Sequence, residues 1–359
     1  MSAPLLVTRD DDLLDDVMRL AAAAGSTLVV AHDPPSALRG WAAASVVLLG
    51  ADLAPVLAEQ APSRRSAVFL LARGRAPDGL FRSALAAGAG EVLELPAAEA
   101  WLVELLNDAA DGGARGAWTT GVVGGGGGAG ATTFAAALAL TAARTGPALL
   151  LDLDPLGPGL DHVVGLESDA EVGIRWDGLL GSRGRLGSRS LRDALPSRDG
   201  LAVLTWAAGS STSLDGGTVR EVLSAAQRGN DTLVVDLPRH LDDLLGEVVS
   251  RCDDVLVVVE GSVPGVASAG KVTEQLRPWA TRIGAVVRST ATSVPADQVA
   301  EALDLPLVAE LSRQRRLAEH LDLGLGPVHS RRRSPLARAA AETLTVLSTG
   351  ETRAPRAVA

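Results

Sequence analysis

The sequence predicts an α/β protein of two doubly wound, mostly parallel sheets. Three observations carry that expectation. Short apolar runs alternate with helix-period segments in two successive series, the pattern of a parallel sheet covered by crossover helices. A small, polar, glycine-rich stretch, "DGGARGAWTT" (111–120), separates the series. The second series opens on five consecutive glycines between a strand and a helix, "GVVGGGGGAGATTFAAALALTAA" (121–143).

The first series spans residues 1–112. "PLLVTR", "STLVVA", "ASVVLLG", "SAVFLLA" and "GEVLEL" read as buried strands. "DDLLDDVMRLAAAA", "PPSALRGWA", "DLAPVLAEQ", "DGLFRSALAAG" and "AAEAWLVELLNDAA" read as the helices between and after them. A linker is expected over 113–117. The second series, 118–350, begins with strand "AWTTGVVG", the glycine loop, helix "TTFAAALALTAART" and strand "PALLLDLDP". After an Arg/Gly/Ser-rich stretch from Leu180 to Arg198, strands are expected at "LAVLTW", "DTLVVDLP", "DDVLVVVEG", "RIGAVVRS" and "LPLVAEL". Helices are expected at "GTVREVLSAAQRG", "HLDDLLGEVVSRC", "VASAGKVTEQLRPWA", "PADQVAEALD" and "SPLARAAAETLTVLS". Residues 351–359 are expected to fray.

Composition narrows the function classes. With 359 residues, 47% hydrophobic and 21% charged, the chain can bury two cores. A net charge of −10 argues against non-specific nucleic-acid binding. Cys252 is the only cysteine, so no internal disulfide or cysteine metal cluster forms, which fits a reducing cytoplasm. The acidic N-terminus does not read as a signal peptide. The best candidate for a membrane span, "WAAASVVLLGADLAPVLA", is broken by Asp52 and Pro55. The five histidines lack metal-ligand spacing, and no G-x-S-x-G motif suggests a hydrolase. A cytoplasmic protein that does not span the membrane is expected.

A glycine run alone reads as a flexible linker. Here it follows a strand and opens a helix, the context of a phosphate-binding loop. Glycines reach positive φ, so successive N–H groups can line an anion nest, and the helix adds its positive end. Gly125 and Gly130 have the G-x-x-x-x-G spacing and Thr132 follows, but Ala131 stands where that loop carries lysine. "LLLDLDPLGPGLD" sets Asp152 and Asp154 at the end of the next strand, and "DTLVVDLPR" ends another on Asp236. Period-two spacing turns Asp152 and Asp154 toward one crevice mouth. Each acid alone reads as a cap or turn residue; three strand-end acids beside a glycine loop do not.

"GGGGGAGATT", "LLLDLDPLGPGLD" and "LVVDLPR" resemble the deviant Walker A, A′ and B motifs of the MinD/ParA family of P-loop ATPases. The likeness extends over most of residues 118–350, with "LPLVAELSRQRRLAEHLDLGLGP" similar to the family's late strand and nucleotide-adjacent loop. The "GAGATT" loop behind a receiver-like domain resembles the CpaE-like branch and its actinobacterial septum-site-determining group. The resemblance implies that Gly125, Gly126, Gly127, Gly128, Ala129, Gly130, Ala131, Thr132 and Thr133 cradle ATP or ADP. It implies that Thr132 binds Mg²⁺ and that Asp236 holds the metal through water. Asp154 would orient the attacking water, and Asp152 would support the Mg²⁺ and water network. It further implies septum placement or Tad-type pilus and secretion positioning, with division or secretion proteins as partners. A nucleotide-dependent homodimer and peripheral membrane contact complete that list; a nucleotide-free scaffold is the rival reading.

The departures are chemical. The family's signature lysine aligns with Gly126, its P-loop lysine with Ala131, and its adenine-contacting asparagine with Arg288. Losing one charged hydrogen bond to phosphate costs about 1.5–3 kcal/mol, or roughly ten- to over a hundred-fold in affinity. Backbone amides, the helix end and Mg²⁺ would remain, so weak binding and at most weak or partner-dependent hydrolysis are expected. Lys271, the chain's only lysine, and Arg288 are the candidate replacement cations.

The first series resembles a response-regulator receiver, a flavodoxin-like fold. Asp10, Asp11 and Asp12 match its metal-binding acids, and equally read as a helix cap. The phosphoacceptor position is Gly50, with Asp52 two residues on, and the expected lysine is Leu95. A pseudo-receiver that docks without phosphotransfer is implied. The C-terminal helix, with Ser334 as N-cap and Pro335 at its first position, is too poor in bulky apolar anchors for a membrane helix and is expected to pack on the domain. The arginines from Arg183 to Arg198 and from Arg331 to Arg333 read as solvated faces.

Overall fold

The computed structural model describes residues 3–63, 65, 67–110, 116–166, 173–180, 186–207, 214–240, 242–289, 294–328 and 334–349. The chain divides into two compact units, Met1–Arg115 and Gly116–Ala359. Most of the expected linker, Arg183, Arg331 to Arg333 and the tail 351–359 lie outside the described residues.

The first unit holds β1 (Leu5–Val7), β2 (Val29–Ala31), β3 (Val47–Gly50), β4 (Val68–Arg73) and β5 (Glu91–Leu95). Their order is β2-β1-β3-β4-β5, with every pairing parallel. Leu5, Val7, Val47, Leu49 and Leu70 enter one buried cluster, and Leu6, Leu48 and Leu71 the other. Both faces are therefore covered, which is why these strands read as unbroken apolar runs. Helix starts follow their caps: Asp10 accepts from the Leu13 N–H at 3.1 Å and Asp33 from the Ser36 N–H at 2.7 Å.

The second unit holds β6 (Trp118–Gly124), β7 (Ala148–Asp152), β8 (Ser197–Arg198), β9 (Leu201–Leu204), β10 (Thr232–Leu237), β11 (Asp254–Glu260), β12 (Ile283–Arg288) and β13 (Leu307–Leu311). They form one sheet ordered β13-β12-β11-β6-β10-β7-β9-β8, parallel throughout except for the short antiparallel β8. Alternate residues again face opposite cores: Leu233 and Val235 lie in one cluster, Val234 in the other. The sequence singled out no element for Ser188–Ala194 and β8, nor for the short helices Leu160–Val164 and Leu317–Asp322. They are too brief to show a period.

The helix Ala131–Ala142 is buried almost all round, with Phe134 through Ala139 fully enclosed. It lies among β6, β7 and β10, and the helix Pro335–Thr349 packs across it. Alanine on so many positions lets these elements approach closely. Leu336, Ala337, Ala339, Ala340, Thr343 and Leu347 of the last helix are buried, so it packs on its domain. Its N-cap is Ser334, whose hydroxyl accepts from the Ala337 N–H at 3.0 Å. Among the described residues no helix is long and apolar enough to cross a membrane.

Candidate functional site

The three neighbouring strands β6, β10 and β7 deliver the candidate groups to one end of the sheet. Parallel register pairs Asp236 with both Val122 of β6 and Asp152 of β7. The glycine loop leaves the same end as the two acids, next to the crevice where open α/β sheets place ligands.

The loop's backbone is built for the turn it makes. Gly128 and Gly130 take φ of 70° and 98°, a region costly for any residue with a Cβ. The Phe134 N–H closes back on the Gly130 carbonyl at 2.9 Å, and the Ala129 N–H donates to Gly126 at 3.3 Å. The amides of Gly126 to Gly128 and Gly130 to Thr133 have no intramolecular acceptor among the described residues. Open donors at a helix N-terminus make an anion site.

A cavity of about 780 Å³ opens beside them. Gly126, Gly127, Gly128, Ala129, Gly130, Ala131, Thr132 and Thr133 line it together with Asp154, Asp236, Arg239, Arg288 and Arg313. Gly125 and Asp152 do not. Gly125 is a packing glycine: a Cβ there would stand 2.6 Å from the Ala269 Cβ, and its N–H donates to Val258 at 2.9 Å.

Asp152 sits behind the cavity wall, 2% exposed. It accepts from the Thr205 hydroxyl at 2.6 Å and the Asp154 N–H at 3.1 Å, while its carbonyl accepts from Trp176 Nε1 at 2.7 Å. Burial pushes its carboxyl up to about 6, opposed by those hydrogen bonds. Asp236 is pushed further, to about 8, by burial and by the neighbouring Asp152 charge, although the Thr132 hydroxyl donates to it. Burial beside a second carboxylate thus favours the protonated form of Asp236. A divalent cation at Thr132 and Asp236 would reverse that preference, so the donor set fits Mg²⁺. Asp154 is half-buried at the rim, and its carboxylate accepts from the Leu156 N–H at 3.0 Å.

Of the two replacement cations named from sequence, Arg288 lines the cavity, paired with Glu260 at 2.6 Å. Lys271 is exposed on the helix Val263–Leu276 and is not among the lining residues. Sequence reasoning gave no role to Thr205, Trp176, Arg239 or Arg313. Arg239 stands inside the quoted "LVVDLPR", and the register of β10 against β6 is the signal that brings it to the glycine loop.

In the first unit Asp10 caps a helix, and Asp12 and Asp16 pair with Arg73 instead of forming an acid cluster. No group of three or more His, Cys, Asp or Glu side chains placed to hold a metal occurs among the described residues. Asp52 accepts from the Thr8 hydroxyl at 2.8 Å and the Arg9 N–H at 2.7 Å. A Cβ on Gly50 would clash with the Asp52 carboxylate and stand 2.7 Å from the Thr8 hydroxyl, so this hydrogen-bonded pair occupies the space a side chain at position 50 would need.

Comparison with known proteins places both units. A family model described as the Rv3660c-like, CheY-like N-terminal domain matches residues 7–117. A MinD cell division protein of Aquifex aeolicus, solved in a MinC:MinD complex, superposes with a TM-score of 0.53 at 21% identity, covering 68% of this chain and 100% of that one. A ParA family ATPase of Chlorobium tepidum gives 0.51 at 16%, covering 64% and 98%. The septum site-determining protein MinD of Pyrococcus horikoshii, solved with Mg-ADP, gives 0.52 at 20%, covering 63% and 93%. The chain is thus a CheY-like domain followed by a domain of the MinD/ParA P-loop NTPase fold. Uncharacterized proteins Rv3660c and MT3760 of two Mycobacterium tuberculosis strains are each 38% identical over 344 residues, covering 94% of this chain and 96% of theirs. The chain belongs to the Rv3660c family.

Proposed function

We propose that this protein is a nucleotide-dependent regulator of the MinD/ParA type that binds Mg·ATP through a lysine-less glycine loop and acts by associating with partners. One observation carries the reading: open loop amides, the Thr132 hydroxyl, Asp154 and the buried Asp236 converge on a single cavity. The loop amides and the helix end bind phosphate oxygens. Thr132 would hold Mg²⁺ and Asp236 would hold it through water, with Asp152 behind supporting that network. Asp154 at the rim orients water. Bound Mg²⁺ supplies positive charge that neutralises the phosphates. With Gly126 and Ala131 at both lysine positions, hydrolysis by the isolated chain is slow, because no lysine offsets charge developing in the transition state.

The association is with division proteins in septum placement, as in the septum-site-determining group. The MinC:MinD complex of the fold neighbour and the motif likeness support that choice. The CheY-like first domain favours a second reading, a CpaE-like positioning factor for Tad-type pilus or secretion assembly. Identification of bound proteins after pull-down separates the two. A cytoplasmic location, with peripheral contact at the inner membrane face, suits either role.

Calorimetric titration with Mg·ATP and Mg·ADP tests the site itself. Binding should be measurable below millimolar nucleotide and abolished by Thr132→Arg, which fills the phosphate nest. No binding at millimolar nucleotide would overturn the switch and leave the nucleotide-free scaffold.

A further inference from the structure

Three arginines line the cavity where a P-loop would carry lysine, and they are not equivalent. Arg288 is committed to Glu260 at 2.6 Å. Arg239 has no ion pair or side-chain hydrogen bond to any described residue, and its side chain lies along the glycine loop. A methyl built on Gly124 would stand 3.9 Å from its Cδ, and one built on Gly127 would stand 3.9 Å from its Nη2. The guanidinium therefore rests against the loop amides that have no acceptor.

The fold explains why it is there. Leu237 of β10 is in register with Val123 of β6, so two residues further on Arg239 comes level with the start of the glycine loop. Pro238 fixes the intervening φ. An unpaired guanidinium against open N–H groups is an all-donor surface; only an anion completes it. The planar fork of an arginine engages two phosphate oxygens at once.

We infer that Arg239 is the phosphate-binding cation of this site, reaching across the glycine loop from the strand that carries Asp236 and taking the place of both absent lysines. The inference rests on the nucleotide reading above and extends it: the cation comes from outside the loop. It interacts most with the terminal phosphate, where a triphosphate concentrates charge, so ATP gains more from it than ADP.

Titration of the full chain with Mg·ATP, Mg·ADP and adenosine, for the native protein, Arg239→Ala, Arg239→Lys and Arg313→Ala, tests this. Arg239→Ala should weaken Mg·ATP about ten- to hundred-fold, weaken Mg·ADP less, and leave adenosine unchanged. Arg239→Lys should recover part of the loss. Because Arg239 is exposed, melting temperatures of the variants should match the native protein. Native-like ATP affinity in Arg239→Ala, or a larger loss in Arg313→Ala, would overturn the inference while the nucleotide reading stood. Absence of binding by the native protein would overturn both.

Discussion

Ala131 opens the helix behind the glycine loop and lines the cavity, so a side chain added there enters the site. Ala131→Lys would restore the P-loop cation. It costs about 0.3–1 kcal/mol, because a positive charge at a helix N-terminus opposes the helix dipole. A charged hydrogen bond to phosphate contributes about 1.5–3 kcal/mol. The helix-end cost falls on the free and bound protein alike, so Mg·ATP affinity should rise by roughly ten- to a hundred-fold in calorimetry. Unchanged affinity would mean that phosphate does not reach the helix end. Gly50 gives the opposite case, a vacated position that cannot be refilled. Gly50→Asp places its Cβ against Thr8 and Asp52, so phosphorylation by a small-molecule donor such as acetyl phosphate should stay undetectable by mass spectrometry. A stoichiometric phosphoaspartate would show that the Thr8–Asp52 pair yields.

The glycine loop as an element contains glycines of two kinds. Gly125 faces the helix Val263–Leu276, where a Cβ would come within 2.6 Å of the Ala269 Cβ and 3.1 Å of its Cα. Neither atom can swing aside. Gly125→Ala should therefore destabilise the protein by about 1–3 kcal/mol, as overpacking does, while Gly126→Ala, whose nearest contact is Ser268 at 3.8 Å, should be neutral. Thermal melts of the pair check this; equal melting temperatures would show that the helix gives way. The loop's spacing was legible in the sequence because strand, glycines and helix are contiguous. What stood hidden was non-local. Asp152 and Asp154 share a period-two spacing, yet Asp152 ends its strand buried under Thr205 and Trp176, and Asp154 reaches the rim. Arg239 needed the pairing of β10 with β6, which no local pattern encodes. The long apolar strands and capped helices declared themselves, whereas the short helices and β8 carried too few residues to do so.

At the scale of the whole molecule, the two buried acids make stability depend on pH. Asp152 and Asp236 rise from 3.8 to about 6 and about 8 in the folded state. The folded chain thus binds protons that the unfolded chain has released. The stability these groups contribute is fully present below about pH 4 and is lost as pH rises through 6 and 8. The lowered carboxyls, Asp33 and Asp215, act in the other direction, and only as pH falls below their ordinary value. Asp254, raised by burial, acts in the same direction as the buried pair. In metal-free buffer the melting temperature should fall across the window from pH 5 to 8. Asp236→Asn, which keeps the shape and removes the charge, should flatten the profile and raise stability at pH 8 by at least about 1 kcal/mol. That is a gain of a few degrees for a unit of this size. Mg·ATP should flatten the native profile too, because a cation beside Asp236 favours the ionised carboxylate and removes the proton uptake. The two effects separate by variant: nucleotide should no longer alter the pH profile of Asp236→Asn. A native melting temperature that stays level from pH 5 to 8 without metal would show that these acids ionise freely in the fold, and that the cavity floor is wetter than its burial implies.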